Sequence, residues 1–225
     1  MVEKTTRLEA RDVCKRFFRK GRESASYFDA VAAMDLVLVS GELVEVVGRS
    51  GSGKTTLLCM LAGLLTPTSG TVSFEGQDLY ALDEPARAKL RNEHFGVVPQ
   101  GQTPLYDLTV LQNVCLPHGI YRDAREVEDR ALERLGSLGI AELSECYPAE
   151  LSGGELRRMA LARALVNEPK VIFADEPTGD LDDKNTKVVL RTLQDAARRG
   201  ASVLLVTHER SAASYADRTV RLGAS

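Results

Sequence analysis

No stretch of this sequence is apolar for long enough to cross a bilayer, which takes ~20 consecutive residues in a helix. The longest apolar candidates, 31–39 and 43–47, are short and carry Asp35 and Glu45. The opening residues, Met-Val-Glu-Lys-Thr-Thr, run into a charged stretch without the apolar core of a secretory signal, so secretion is not expected. Positive charge is not in excess either. The formal net charge is −3, which gives a nucleic-acid partner no electrostatic support. Cysteine is sparse, and Cys14, Cys59, Cys115 and Cys146 form no CxxC pair. That fits free thiols in a reducing cytosol and argues against a structural zinc site. Internal repeats, heptad arrays and low-complexity tracts are missing too. Any connection to a membrane must therefore come through a partner protein.

What is present has the balance of an ordinary globular protein, 44% hydrophobic and 27% charged over 225 residues. The length suits one α/β domain, 1–225, with a side lobe. Short apolar runs alternate with helical patterns, as in βαβ units around a mostly parallel sheet. Strands are expected at 8–13, 34–39, 43–47, 71–74, 95–98, 171–174, 202–206 and 219–222, and helices at 54–64, 84–91, 123–138, 154–167, 183–199 and 209–215. Only Ser40 and Gly41 separate the second and third strands, which suggests an antiparallel hairpin joined to the parallel core. Residues 19–29 are polar and contain Gly and Ser, and read as a loop. Between 101 and 150 the strand signal disappears, as expected of a helical lobe (101–164) inserted between core segments 1–100 and 165–225. In that lobe Val127, Leu132, Leu135 and Leu138 share one face of a solvated amphipathic helix.

Residues 48–56 read Gly48-Arg49-Ser50-Gly51-Ser52-Gly53-Lys54-Thr55-Thr56, a full match to the phosphate-loop pattern G-x-x-x-x-G-K-[ST]. An apolar strand precedes it and an apolar helix follows, which is the context the pattern requires. Glycines let the backbone N–H groups turn toward phosphates, and the helix N-terminus adds a favourable dipole. Lys54 then reaches the β- and γ-phosphates and Thr55 ligates Mg²⁺. Glu45 is unexpected in a strand that should be buried.

The apolar run 171–174 ends in Asp175-Glu176. An Asp at the carboxyl end of such a strand lies beside the phosphate loop, where doubly wound sheets bind ligands. There Asp175 holds Mg²⁺ and Glu176 polarises the attacking water as general base. A third element, Leu151-Ser152-Gly153-Gly154-Glu155, opens a helix with Ser152 at its N-cap. Taken alone it is either a plain capped helix or a second anion-reading helix terminus.

Across nearly the whole chain these residues resemble the ABC transporter ATPase family. LSGGE matches that family's signature sequence, and VIFADEPTGDLD its second nucleotide motif with the loop that follows. The resemblance implies the roles of four more residues. Gln100 is similar to the Q-loop glutamine that touches Mg²⁺ or water and leads into the helical lobe. Asp182 is similar to the loop aspartate that communicates across a dimer, and His208 to the switch histidine that senses the γ-phosphate. Phe17 sits where an aromatic ring stacks on adenine, with Phe18 as its competitor and Tyr the commoner residue there.

The same resemblance implies a homodimer in which Ser152, Gly153 and Gly154 of one subunit close over ATP held at Lys54 of the other. It implies ATP and Mg²⁺ as ligands and a membrane permease subunit, gripped near Gln100, as partner. The location it implies is cytoplasmic, peripheral on the inner face of the cell membrane. PTGDLDDKN and LRNEHFG are similar to the subgroup serving lipoprotein release, macrolide efflux, antimicrobial-peptide resistance and cell division. That subgroup favours export or mechanotransmission over import. Asp180 departs from it, where Asn is usual, as does Arg49, where small or polar residues are commoner. Two other readings compete: a switch acting on a non-transporting division protein, and a soluble ATPase of DNA repair, chromosome structure or translation. The last group carries coiled coils, zinc modules or two cassettes, none of which this sequence shows. With the chain ending just after the last expected strand, no regulatory domain is expected beyond it.

Overall fold

A computed structural model describes residues 5–20, 25–101, 103–179 and 181–223. The chain runs β1 (Thr6–Lys20), β2 (Ala25–Val39), β3 (Leu43–Gly48), α1 (Lys54–Leu61), β4 (Ser69–Phe74), β5 (Gln77–Asp78), α2 (Glu84–His94) and β6 (Phe95–Val98). It continues through α3 (Val110–Gly119), α4 (Glu128–Ser137), α5 (Gly153–Leu165), β7 (Val171–Asp175), α6 (Asp183–Arg198), β8 (Ser202–Val206) and β9 (Arg218–Leu222). The fold is α/β, with a parallel sheet, an antiparallel sheet and a helical lobe, as the alternation of apolar runs indicates.

The parallel sheet has the order β6-β7-β8-β3-β9. Its inner strands are mainly apolar because both faces are covered, with Glu45 of β3 and Asp175 at the end of β7 as exceptions. Alternation sends Val44, Val46, Phe173, Leu204 and Val206 into one core with α1 and the antiparallel sheet. Their neighbours Leu43, Ile172, Val203 and Leu205 join a second core with α5, α6 and the helical lobe. Helix α1 is packed on most sides, burying Leu57, Leu58, Met60 and Leu61. Among the described residues no helix is long and apolar enough to cross a membrane.

Several expectations need correcting. The segment 34–39 and β3 do not form a hairpin. Strand β2 pairs with β1 in an antiparallel sheet of order β2-β1-β4-β5, while β3 lies between β8 and β9. The Ser40-Gly41 link is where the chain changes sheets: Ser40 N–H donates to Thr5 O and the next N–H, Gly41, to Ala201 O. Gly41 takes the left-handed φ of 74° that this step needs.

Residues 19–29 are not a loop as a whole, since 19–20 belong to β1 and 25–29 to β2; 21–24 lie outside the described residues. Their polar composition is reconciled with strand by cross-strand pairing: Phe17 opposes Phe28, Phe18 opposes Tyr27, and Arg16 pairs with Asp29 at 2.8 Å. The expected helix 123–138 splits into a 3₁₀ turn and α4, and Leu132 is exposed while Ala131 takes the core position. Residues 209–215 form only a 3₁₀ turn, Arg210–Ser214. Glu45 is buried and accepts a hydrogen bond from Thr219 Oγ1 on the adjacent β9 at 2.8 Å, which offsets part of the cost of its burial.

Candidate functional site

Strand β3 ends at Gly48 and α1 begins at Lys54, so the glycine-rich segment between them wraps a helix N-terminus. Gly53 has a left-handed φ of 88°, and a Cβ there would lie 2.0 Å from Ala30 O of β2. Only glycine fits both the angle and the contact. Lys54 arches back over the loop, donating to Gly48 O at 3.0 Å and Arg49 O at 3.1 Å.

Thr55, one residue on, donates from Oγ1 to Asp175 Oδ2 at 2.7 Å. Asp175 ends β7 and is buried; its Oδ1 has no hydrogen-bond partner among the described residues. Burial raises its carboxyl above the ordinary range, the Thr55 bond opposes that shift, and the charge of Glu176 adds to it.

Glu176 has a left-handed φ of 46°, a conformation that costs a non-glycine residue about 1–3 kcal/mol. Its N–H donates to Val206 O at 2.8 Å, which carries the chain from β7 to the end of β8. Both carboxylate oxygens face His208. Oε1 lies 2.9 Å from His208 Nδ1, and Oε2 accepts the His208 backbone N–H at 3.3 Å. The side-chain hydrogen bond from His208 Nδ1 to Glu176, and then the carboxylate charge, raise the His208 imidazole above its ordinary value.

A raised value means the contact is strongest with His208 protonated: its stabilising effect is complete in acid and lost as pH rises through the raised value. In nucleotide-free protein His208 is expected to titrate above the usual ~6.5 and to fall back toward it in Glu176→Gln. NMR of the His208 ring reads this directly. Identical titrations in the two proteins would show that the contact does not form in solution.

These groups share a cavity of about 680 Å³. Gly48, Ser50, Gly51, Gly53, Lys54, Thr55 and Thr56 line one side, with Gln100, Asp175, Glu176 and His208 around them. Phe17, Phe28, Asp29 and Ala30 of the β1–β2 hairpin form the rest of the lining. Strand alternation separates the two candidate aromatics: Phe17 faces the cavity, and Phe18 packs on Tyr27 at 5.2 Å, away from it. Arg49 and Ser52, though in the loop, are not part of the lining.

Ser152, Gly153, Gly154 and Asp182 do not line it either. Ser152 caps α5 in a capping box, accepting the Glu155 N–H at 3.4 Å while its own N–H donates to Glu155 Oε2 at 2.7 Å. Ser152 and Gly153 are exposed. Asp182 caps α6 by accepting the Asn185 N–H at 2.7 Å. The two caps are neighbours, for a Cβ on Gly154 would come within 3.4 Å of Asn185 Nδ2 and 3.6 Å of Leu181 Cδ2. Asp180 lies outside the described residues.

Arg157 is a structural link that sequence reasoning missed. It is buried one turn into α5, and its Nη1 donates to Pro99 O at 3.3 Å and Gln100 O at 3.1 Å. The start of α5 is thereby tied to the backbone that carries Gln100. A basic residue just after the LSGGE run is the only trace of this in the sequence.

A phosphate loop on the carboxyl edge of a parallel sheet, with two acidic residues at the carboxyl end of β7, the next strand but one, defines a P-loop nucleoside triphosphatase. The sequence profile of the ABC transporter family matches residues 31–179. Two solved structures of the ATP-binding cassette MJ0796 are similar throughout. One is a dimeric post-hydrolysis state bound to ADP and Pi, 32% identical, covering 96% of this chain and 94% of that one, with a TM-score of 0.88. The other, described as a dimeric structure of a bacterial ABC transporter cassette, is 33% identical with the same coverages and TM-score. The chain belongs to the ABC transporter family, as an ATP-binding, ATP-hydrolysing cassette.

Proposed function

We propose that this cassette works as a homodimer with two ATP molecules held between the subunits, and drives export or mechanotransmission through a membrane permease. One observation carries the paired reading. The cavity gathers Lys54, Thr55, Asp175, Glu176 and His208 but none of Ser152, Gly153 or Gly154, which stand at the capped start of α5 elsewhere on the same chain, the first two exposed and Gly154 half-buried. Helix N-termini of this kind bind anions. A second copy, turned head to tail, brings that helix start over the open side of the cavity and completes the site. The dimers formed by MJ0796 support the pairing of two copies.

Within one half-site, Lys54 leaves the Gly48 and Arg49 carbonyls for the β- and γ-phosphates, and loop N–H groups from 48–56 hold the same oxygens. Phe17 stacks on the adenine. The unpartnered Asp175 Oδ1 beside the Thr55 hydroxyl is a hard-oxygen pair suited to Mg²⁺, with Gln100 nearby in the same lining. No group of three or more His, Cys, Asp or Glu forms among the described residues, so such an ion would need phosphate oxygens or water beside these protein groups. Held there, Mg²⁺ would supply charge neutralisation at the transferring phosphoryl group.

Glu176 accepts the proton of the attacking water. For that, His208 has to turn from Glu176 toward the γ-phosphate, and its exposed ring is free to swing. Asp182, at the cap of α6, meets the partner subunit and relays occupancy between sites. Hydrolysis removes the γ-phosphate contacts and adds like charge between the halves, so the dimer opens.

For the permease, a groove of about 380 Å³ lies just before Gln100, between β6 and α3, and includes Phe95, Val97, Pro117 and Arg163. Leu64, Ile120 and Tyr121 line it while remaining 53%, 60% and 47% exposed. An apolar groove of this form takes an amphipathic helix. Arg163 on α5 donates to Thr103 O and Oγ1, both at 2.8 Å, so the groove is braced against the segment after Gln100. Docking there places the cassette in the cytoplasm, on the inner face of the cell membrane. The PTGDLD and LRNEHFG stretches favour a permease of the lipoprotein-release, macrolide-efflux or cell-division type. Ile120→Glu is expected to abolish co-purification with the permease and leave ATP binding by the isolated cassette unchanged. Undiminished co-purification of that variant would remove the groove from the reading.

A further inference from the structure

On the reading of the cavity as an ATP site, we infer that Phe28 is a second seat for the nucleobase, forming with Phe17 a two-ring wall. The register of β1 and β2 sets Phe17 directly opposite Phe28, and Phe18 opposite Tyr27. Alternation sends the first pair to the cavity and the second to the other face of the hairpin. Two aromatic residues therefore face the same space as the phosphate loop.

The Phe17 and Phe28 rings lie 5.9 Å apart between centroids and are tilted by 35°, so they are not stacked face to face and their surfaces stay open. Lys15 Nζ sits 5.3 Å from the Phe17 ring centroid and is itself held by Thr66 O at 2.7 Å. Lys15 does not line the cavity, so it backs Phe17 and leaves that ring one open side. Phe28 remains 48% exposed although it lines the cavity. An exposed aromatic surface beside a polar phosphate loop matches a ligand with a flat base at one end and charge at the other.

The spacing of the two ends is fixed. Ala30, two residues after Phe28, carries the carbonyl against which Gly53 is pressed, so the strand that bears Phe28 packs directly on the phosphate loop. A triphosphate seated on the loop projects its base along the hairpin. Phe28 acts through stacking, which every base offers, so it strengthens binding of ATP and GTP alike without choosing between them.

Phe28→Ala is the direct test, because an exposed side chain can be removed without opening the core. ATP and inorganic tripolyphosphate, which lacks a base, are titrated against it by calorimetry. The Kd for ATP is expected to rise about tenfold, the usual size of one lost stacking contact, with tripolyphosphate affinity unchanged. Phe28→Tyr is expected to restore ATP binding, and Phe18→Ala on the opposite face to match the unaltered protein. Equal losses for both ligands in Phe28→Ala would show that the ring only shapes the loop, overturning the inference. Unaltered ATP affinity in Phe28→Ala, with both ligands weakened by Lys54→Ala, would overturn the base seat and leave the ATP site standing. Both ligands unaffected by Lys54→Ala would overturn the site and the seat together.

Discussion

Glu176→Gln is expected to cut steady-state ATP turnover by at least ~10²-fold while leaving ATP bound. Glutamine keeps the shape of the side chain and an acceptor oxygen for the His208 N–H that Glu176 now receives at 3.3 Å. It removes the capacity to take a proton, and general-base losses of this kind run from ~10² to 10⁴. Binding survives because Lys54, Thr55 and the loop N–H groups do not depend on that charge. Losing the carboxylate also relieves the repulsion that Asp175 feels from its neighbour. Phosphate release measured over many turnovers decides the matter, and a near-normal rate would remove Glu176 from the role of base.

The second large effect concerns the two halves of the site, inactivated one at a time. Lys54→Ala removes a cation now held by Gly48 and Arg49 carbonyls and destined for phosphate. At roughly 1.5–3 kcal/mol for each hydrogen bond to a charged group, ATP binding weakens by ~10²-fold. Gly154→Asp attacks the other half without disturbing the fold. The added Cβ meets Asn185 and Leu181 at 3.4 and 3.6 Å, close to ordinary contact distances. A carboxylate in the first turn of α5 also suits the helix dipole, so the helix itself is not harmed. Only an anion approaching that helix start is repelled, and turnover is expected to fall ~10²-fold or more, as when one preorganised transition-state contact is lost. ATP binding to the isolated Gly154→Asp subunit stays normal, since its own cavity does not contain Gly154.

Much of the nucleotide region was legible in the sequence because its parts are local. A phosphate loop needs its glycines and lysine within nine residues, and Ser152 caps α5 from the adjacent position. The strands expected at 171–174 and 202–206 were legible as short continuous apolar runs, because both of their faces are covered.

What the sequence hid depends on pairing over distance. Nothing in residues 34–47 shows that β2 stays with β1 while β3 crosses to β8 and β9, since an intervening Ser-Gly is equally suited to a hairpin. Phe28 was lost in a polar stretch because its partner, Phe17, is set by the register of a hairpin whose strands looked too hydrophilic to pair. The choice between Phe17 and Phe18 needs the orientation of the strand, which adjacent residues cannot supply. Arg157 joins carbonyls at 99 and 100, and no local pattern announces a contact that far away.

The claim that each site is split between two copies is tested most directly by mixing. Lys54→Ala and Gly154→Asp proteins, each nearly inactive alone, are combined in equal amounts and ATP hydrolysis is measured. In a mixed dimer one site carries both lesions and the other carries none. Random pairing then returns about a quarter of the unaltered activity, half the dimers being mixed with one intact site in two. A mixture no more active than the sum of its separate components would mean that the phosphate loop and the signature helix do not meet across subunits.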